Sequence, residues 1–449
     1  MRHTIPLTLL VCSSMLSAPP AHAQFSQQGP KLVGTGAVGT PQQGISVSLS
    51  ADGNTAIVGG DFDNSVPLPF PSGVTGTGAA WVWTRSGGVW SQQGSKLVGT
   101  GAAGNSSQQG FSVALSADGN TAIVGGPGGN GTDSAAWVWT RSGGVWTQQG
   151  PRLVGTGSVG IASQGDSVSL SADGNTAIVG GANDNHDTGA AWVWIRTGGI
   201  WTQQGPKLVG SGAVGSAFQG GSVSLSADGN TAIAGGAGDA GGAGAAWVWT
   251  RSGAIWTQQG SKLVGSGAVG NAFQGAVSLS ADGNTAMVGG PGDNGNAGAT
   301  WIWTRSGATW TQQGPKLVGS GAASARQGNS VSLTADGNTG IVGWYADSGF
   351  TGATWVWTRS AGVWTQQSTK LVGSGAVGNA FQGWSVSVSA DGNTAIAGGF
   401  GDNNSVGAAW VFATSSISNA GLSVPTASAW TLLALAATLS LLGTMRIRA

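Results

Sequence analysis

Ser171-Ala172-Asp173-Gly174-Asn175-Thr176-Ala177-Ile178-Val179-Gly180-Gly181 is a stretch this chain writes seven times with small changes. Its aspartates fall at Asp52, Asp118, Asp173, Asp228, Asp282, Asp336 and Asp391, at intervals of 66, 55, 55, 54, 54 and 55 residues. A fixed period of this size marks one supersecondary unit stacked or arranged in a circle, not a string of independent domains. Within the stretch, Asp-Gly at the centre of a four-residue turn is a strong short-range signal for a β-hairpin.

Working outward from that turn, the third repeat holds four strand-like runs. Ser167 to Ser171 alternates Val168 and Leu170 with serines, and Thr176 to Val179 returns across the hairpin. A polar loop, Asn183 to Gly189, leads to a third strand, Ala190 to Ile195, and a turn at Arg196 to Gly199 to a fourth, Ile200 to Val209. No window has a helical period, and glycine comes too often for a helix interior. Four antiparallel strands in each of seven units specify an all-β fold, a seven-bladed β-propeller. Trp192, Trp194 and Trp201 and their counterparts crowd strands three and four, where a wedge-shaped blade is thick and needs bulk. They are expected in the core.

The ends fit a ring. The seventh unit stops after Trp410-Val411-Phe412 without a fourth strand, and Phe25 to Gly34 reads as the missing one. The propeller is thus expected over 24–417, closed by its N-terminal strand. Pro30, Pro151, Pro206 and Pro315, each followed by Lys or Arg, read as protection of an exposed edge by proline and solvated charge.

Composition limits the function. Of 449 residues 84 are glycine, 22 tryptophan and 8% charged; all 17 acidic residues are Asp, and the net charge is zero. Nucleic-acid binding has no basic surface to rest on. Residues 1–23 read as a cleaved secretory signal: Arg2, an apolar run from Ile5 to Leu16, then Ala21-His22-Ala23 before Gln24. The one cysteine, Cys12, lies inside it, so the mature chain is expected to have no disulfide. Residues 418–426 read as linker and sorting motif. Residues 427–449 read as one transmembrane helix with a basic end at Arg446 and Arg448, its apolar part just long enough for one span. The expected address is export, to the outer surface or a membrane.

Two resemblances follow. Val424-Pro425-Thr426, the apolar stretch and the Arg-rich end resemble the C-terminal sorting domains of Gram-negative bacteria with an Ile-Pro-Thr-Leu signature, relatives of the Pro-Glu-Pro type, with Ala427 in place of the Leu. That implies membrane handover and a sorting protease or exosortase-like enzyme as partner. Phe218-Gln219-Gly220, Phe381-Gln382-Gly383, Gly125-Gly126-Pro127 and Gly289-Gly290-Pro291 resemble the FG-GAP repeat of integrin α-like propellers. The resemblance implies a surface propeller. The calcium loop of that family is not matched, since ADGNT offers one carboxylate in a tight turn.

Candidate chemistry is sparse. The GxGxxG at Gly34-Gly36-Gly39 lacks the helix and acidic residue of a dinucleotide site, and it recurs blade after blade as a connection. Asp184 and Asp187, in the loop around His186, are the most ligand-like pair, and calcium is the ion they would suit. No hydrolytic triad can be assembled, so the chain is expected to have no catalytic activity and no required cofactor. The stronger signal is where the repeats differ. Phe62, Leu68 and Phe70 in the first repeat, Trp344, Tyr345 and Phe350 in the sixth, and Trp384 and Phe400 in the seventh put extra apolar side chains on one loop face. Blades 6, 7 and 1 would be neighbours in a ring, and such a patch suits adhesion or recognition of a surface protein or glycan. The alternatives are a structural surface or matrix component and a calcium-dependent glycan-binding protein.

Overall fold

The computed structural model describes residues 24–67, 74–102, 106–129, 133–321 and 326–414. The expected signal segment, linker and C-terminal helix lie outside them. Among the described residues, no helix is long and apolar enough to cross a membrane.

Gln24–Thr414 form one compact unit built from seven four-stranded antiparallel sheets. Blade 3 is representative: Ser167–Leu170, Thr176–Gly181, Ala190–Thr197 and Ile200–Gln203 pair in chain order from the axis outward. Blade 7 pairs Ser385–Val388, Thr394–Gly399 and Ala408–Thr414 with Phe25–Gln27 from the other end of the chain. The register is Phe25 to Thr414, Ser26 to Ala413 and Gln27 to Phe412. The fold is a seven-bladed β-propeller closed by its N-terminal strand.

Closure is visible at the axis as well. The alanine of each Ala-Asp-Gly-Asn turn donates its backbone N–H to the carbonyl of the same alanine in the next blade, at 2.9 to 3.2 Å. The series runs Ala51, Ala117, Ala172, Ala227, Ala281, Ala335, Ala390 and back to Ala51. Every member of this ring is both donor and acceptor, which satisfies backbone groups that the turn would otherwise leave open.

The core lies between blades. Trp81, Trp137, Trp192, Trp247, Trp301, Trp355 and Trp410 are essentially fully buried. Removing an indole of 150–250 Å² from water is worth roughly 4–6 kcal/mol as an upper bound. The connection entering each blade lies over this ring. A Cβ on Gly210 would sit 2.1 Å from Trp247 Cδ1, so only glycine allows the approach. The indole N–H then donates to the next carbonyl, that of Ser211, at 2.9 Å. The first glycine of each connection therefore lets the chain lie directly over a buried tryptophan.

Neighbouring blades are also clamped at the rim. Gln93, just after the outer strand of blade 1, accepts from Arg141 Nη1 and Trp146 Nε1 of blade 2, both at 3.0 Å. Arg141 lies 5.3 Å from the Trp146 ring centroid, within cation–π range. Gln28, just after the N-terminal strand, clamps Arg85 and Trp90 in the same way.

The expected fourth strand, Ile200 to Val209, is shorter than the pattern suggested. It ends at Gln203, the chain turns through Gly205 at φ 71°, and pairing resumes at Leu208 with Ala191. In blade 6 Ser368 stands where the other units have that glycine, and there the strand runs unbroken from Val363 to Leu371. The edge lysines also differ from expectation. Lys31, Lys207 and Lys316 are ion-paired with the buried Asp402, Asp184 and Asp293.

Candidate functional site

The two faces of the wheel are built differently. On the turn face, Asp173 accepts from Ser171 Oγ at 2.5 Å and from the Asn175 N–H at 2.9 Å with one oxygen, and from Asn175 Nδ2 at 3.0 Å with the other. Burial pushes this carboxyl up. The hydrogen bonds from Ser171 and Asn175 and the charge of Arg196 outweigh it and hold the group below the ordinary range. The arrangement recurs in every blade and ties both oxygens into the turn itself.

The loop face carries what the repeats do not share. Tyr345, at the end of the second strand of blade 6, packs on Trp384 of blade 7 with ring centroids 4.8 Å apart. Trp384 meets Phe400 edge-on at 4.8 Å, Phe400 stacks on Phe381 at 5.0 Å, and Phe381 meets Phe350 at 5.4 Å. Four of the residues expected here are thus in one cluster, and Phe350 is 45% exposed. Phe381, from the FG-GAP-like Phe381-Gln382-Gly383, joins them. Its backbone is left-handed at φ 57°, as are Phe218 and Phe273 at the same position of blades 4 and 5, and this turns the rings onto the face.

The other expectations divide. Trp344 is not on this surface: it is 2% exposed and lies 4.2 Å, centroid to centroid, from Trp355. It replaces a glycine whose counterpart Gly181 has Ala162 O 2.6 Å and the Trp192 ring 2.9 Å from a would-be Cβ. The Gly319–Gln327 spacing leading into blade 6 is one residue shorter than Gly155–Gln164. Phe62 is part-buried and has no ring contact among the described residues. Leu68 and Phe70 lie outside the described residues, beyond a short ribbon pairing Val66 with Thr75 and Pro67 with Val74.

Asp184 and Asp187 are not open ligands either. Asp184 is buried, with Oδ2 on Lys207 and Oδ1 accepting the Val159 N–H at 2.8 Å. Asp187 accepts from Asn183 Nδ2 at 2.9 Å. The same buried carboxylate returns as Asp63, Asp239, Asp293, Asp347 and Asp402, each paired with a lysine. A carboxylate this deep needs a countercharge, and the lysine after the outer strand supplies it. Among the described residues, no group of three or more His, Cys, Asp or Glu side chains could hold a metal.

Beside the aromatic cluster, at the loop-face mouth of the axial channel, is a cavity of about 410 Å³. Its shape follows from one register, the residue after each Gln-Gly. That position holds Ile45 in blade 1, Asp166 in blade 3, Gly221 in blade 4, Asn329 in blade 6 and Trp384 in blade 7. Blade 5 omits the residue: Gly275 runs directly into the strand Ala276–Leu279. Gly275 accordingly lacks the positive φ of Gly220, at 86°. With no side chain from blade 4 and no residue from blade 5, the wall is open there. Phe218 and Phe273 border the gap, opposite Trp384.

Asp166 is part-exposed at the cavity but enclosed by protein on most sides, and burial pushes its carboxyl up to about 7. One oxygen accepts the Ala182 N–H at 3.1 Å; the other has no partner among the described residues. Asn329 Nδ2 donates to the Trp384 carbonyl at 3.0 Å, leaving its own carbonyl oxygen to the cavity. Sequence reasoning did not single out Asp166 or Asn329. The signal was there, as variation at a single position in otherwise copied repeats.

No family model matches the chain, and no curated protein matches it. Among solved structures it is similar to one named "putative 6-phosphogluconolactonase" from Bacteroides uniformis, at 12% identity and a TM-score of 0.48, over 76% of this chain and 88% of the other. One expectation is corrected by this match: the chain was read as having no catalytic activity, yet the similar structure bears an enzyme's name, so that reading is withdrawn.

Proposed function

We propose that the chain is an exported propeller that recognises a partner through the loop face of blades 6 and 7. The observation carrying this is the ring cluster of Tyr345, Phe350, Phe381, Trp384 and Phe400, which gathers four non-repeated aromatics of two blades around Phe381 at one place on that face. Aromatic anchors at a surface are what binding hot spots are made of. The FG-GAP-like motifs, the leader ending at Ala23 and the Val424-Pro425-Thr426 segment support a surface address with membrane handover, and adhesion is the role that address suits. The test is capture of surface glycans or proteins by the full chain and by Phe350→Ser and Phe400→Ser. Loss of capture in both variants, with unfolding temperature unchanged, supports the reading. Undiminished capture removes it. Cell fractionation with mass spectrometry of both mature ends tests the address.

A further inference from the structure

We infer that the cavity at the loop-face mouth of the channel is a binding site for a neutral sugar ring, an inference that rests on the loop face being the recognition surface and that names its ligand class. The donor and acceptor set points there. Acceptors are the unpartnered oxygen of Asp166 and the carbonyl of Asn329.

Donors are the hydroxyls of Ser222 and Ser330. Their counterparts Ser46, Ser112, Ser167 and Ser385 spend the hydroxyl proton on the carbonyl of the next blade's Gln-Gly glycine, at 2.7 to 2.9 Å. Ser222 and Ser330 instead accept the N–H of Val277 and Val386, at 3.1 and 3.0 Å. Among the described residues neither hydroxyl donates a hydrogen bond, which leaves both protons to a ligand. For Ser222 the cause is the residue missing from blade 5, the same deletion that opens the wall.

Apolar surface comes from Phe218, Phe273 and Trp384, suited to the C–H face of a pyranose ring. The volume is within the range of small-molecule sites. No Lys, Arg or His lines the cavity, so phosphorylated or carboxylated ligands would have no countercharge.

The experiment is an array of neutral mono- and oligosaccharides probed with the full chain, followed by calorimetry on the best binder. Phe273→Ala and Asp166→Asn are each expected to weaken binding roughly ten- to hundredfold. Val89→Ser, on the outer strand of blade 1 and 70% exposed, is expected to leave it unchanged. A ligand-dependent shift in tryptophan emission that disappears in Trp384→Phe would support the site independently. Binding that falls with Phe350→Ser but not with Phe273→Ala or Asp166→Asn overturns this inference and leaves the broader recognition reading standing. So does preference for a quaternary ammonium ion, which the rings and Asp166 could also hold. An array with no neutral sugar above background overturns it too.

Discussion

The turn face and the loop face of this wheel are made from the same seven repeats, yet they behave as opposites. On the turn face each Asp-Gly-Asn holds the same hydrogen bonds, and the alanine ring joins them head to tail. On the loop face the residue after Gln-Gly differs from blade to blade, and one blade omits it. Copying preserves positions where all seven blades must meet a common geometry. Variation collects where a side chain faces space instead of a neighbour.

Substitutions can break this contrast. The largest effect is expected in the shared core beneath both faces: Trp247→Ala should cost about 3–5 kcal/mol in denaturant unfolding. Trp384→Ala should cost far less stability, under about 1.5 kcal/mol, while disturbing the loop face. A result in which both cost the same would erase the distinction between scaffold and site.

Titration sharpens it further, since the faces carry carboxyls shifted in opposite directions. The turn aspartates are held below the ordinary range, so their contribution is complete above about pH 4 and is lost as pH falls through their folded-state values. Asp61, at the loop-face end of a blade 1 strand, is 2% exposed with Oδ1 unpartnered, and burial pushes it up to about 7. Between about pH 4 and 7 the folded chain keeps a proton there that the unfolded chain has released, so stability falls as pH rises across that window. Asp61→Asn should stabilise by roughly 1–4 kcal/mol at pH 8 and by little at pH 4. Asp228→Ala should destabilise by about 1–3 kcal/mol at pH 7, and by less as pH falls through its folded-state value. Melting curves at these pH values check both, and like signs for the two variants would contradict the assignment. The smallest effect is expected for Phe350→Ser, within about 0.5 kcal/mol of the parent, with its consequence confined to binding.

Much of this could be read in the sequence. The period gave the blade number, and the unfinished seventh unit with its complement at Phe25 gave the closure, which the pairing with Thr414 bears out. Tyr345, Phe350, Trp384 and Phe400 stood out as non-repeated aromatics and do lie together. Trp344 stood out by the same criterion and is core, because composition cannot tell an exposed ring from one packed against the buried Trp355. Asp184 looked like a ligand because its lysine, Lys207, is 23 residues further on and only the folded blade brings them together.

By itself, then, the sequence determined the wheel: strand alternation, Asp-Gly turns and a fixed period are local, and seven copies of a local instruction have one closed solution. What only the tertiary structure decided is which polar groups are already occupied. Partners such as Ser46 with Gly110, or Asp184 with Lys207, come from different blades or from distant points in the sequence of one blade. A group is available for binding only when such a partner is missing, as at Ser222, where a single absent residue in the next blade leaves a hydroxyl and a wall both open.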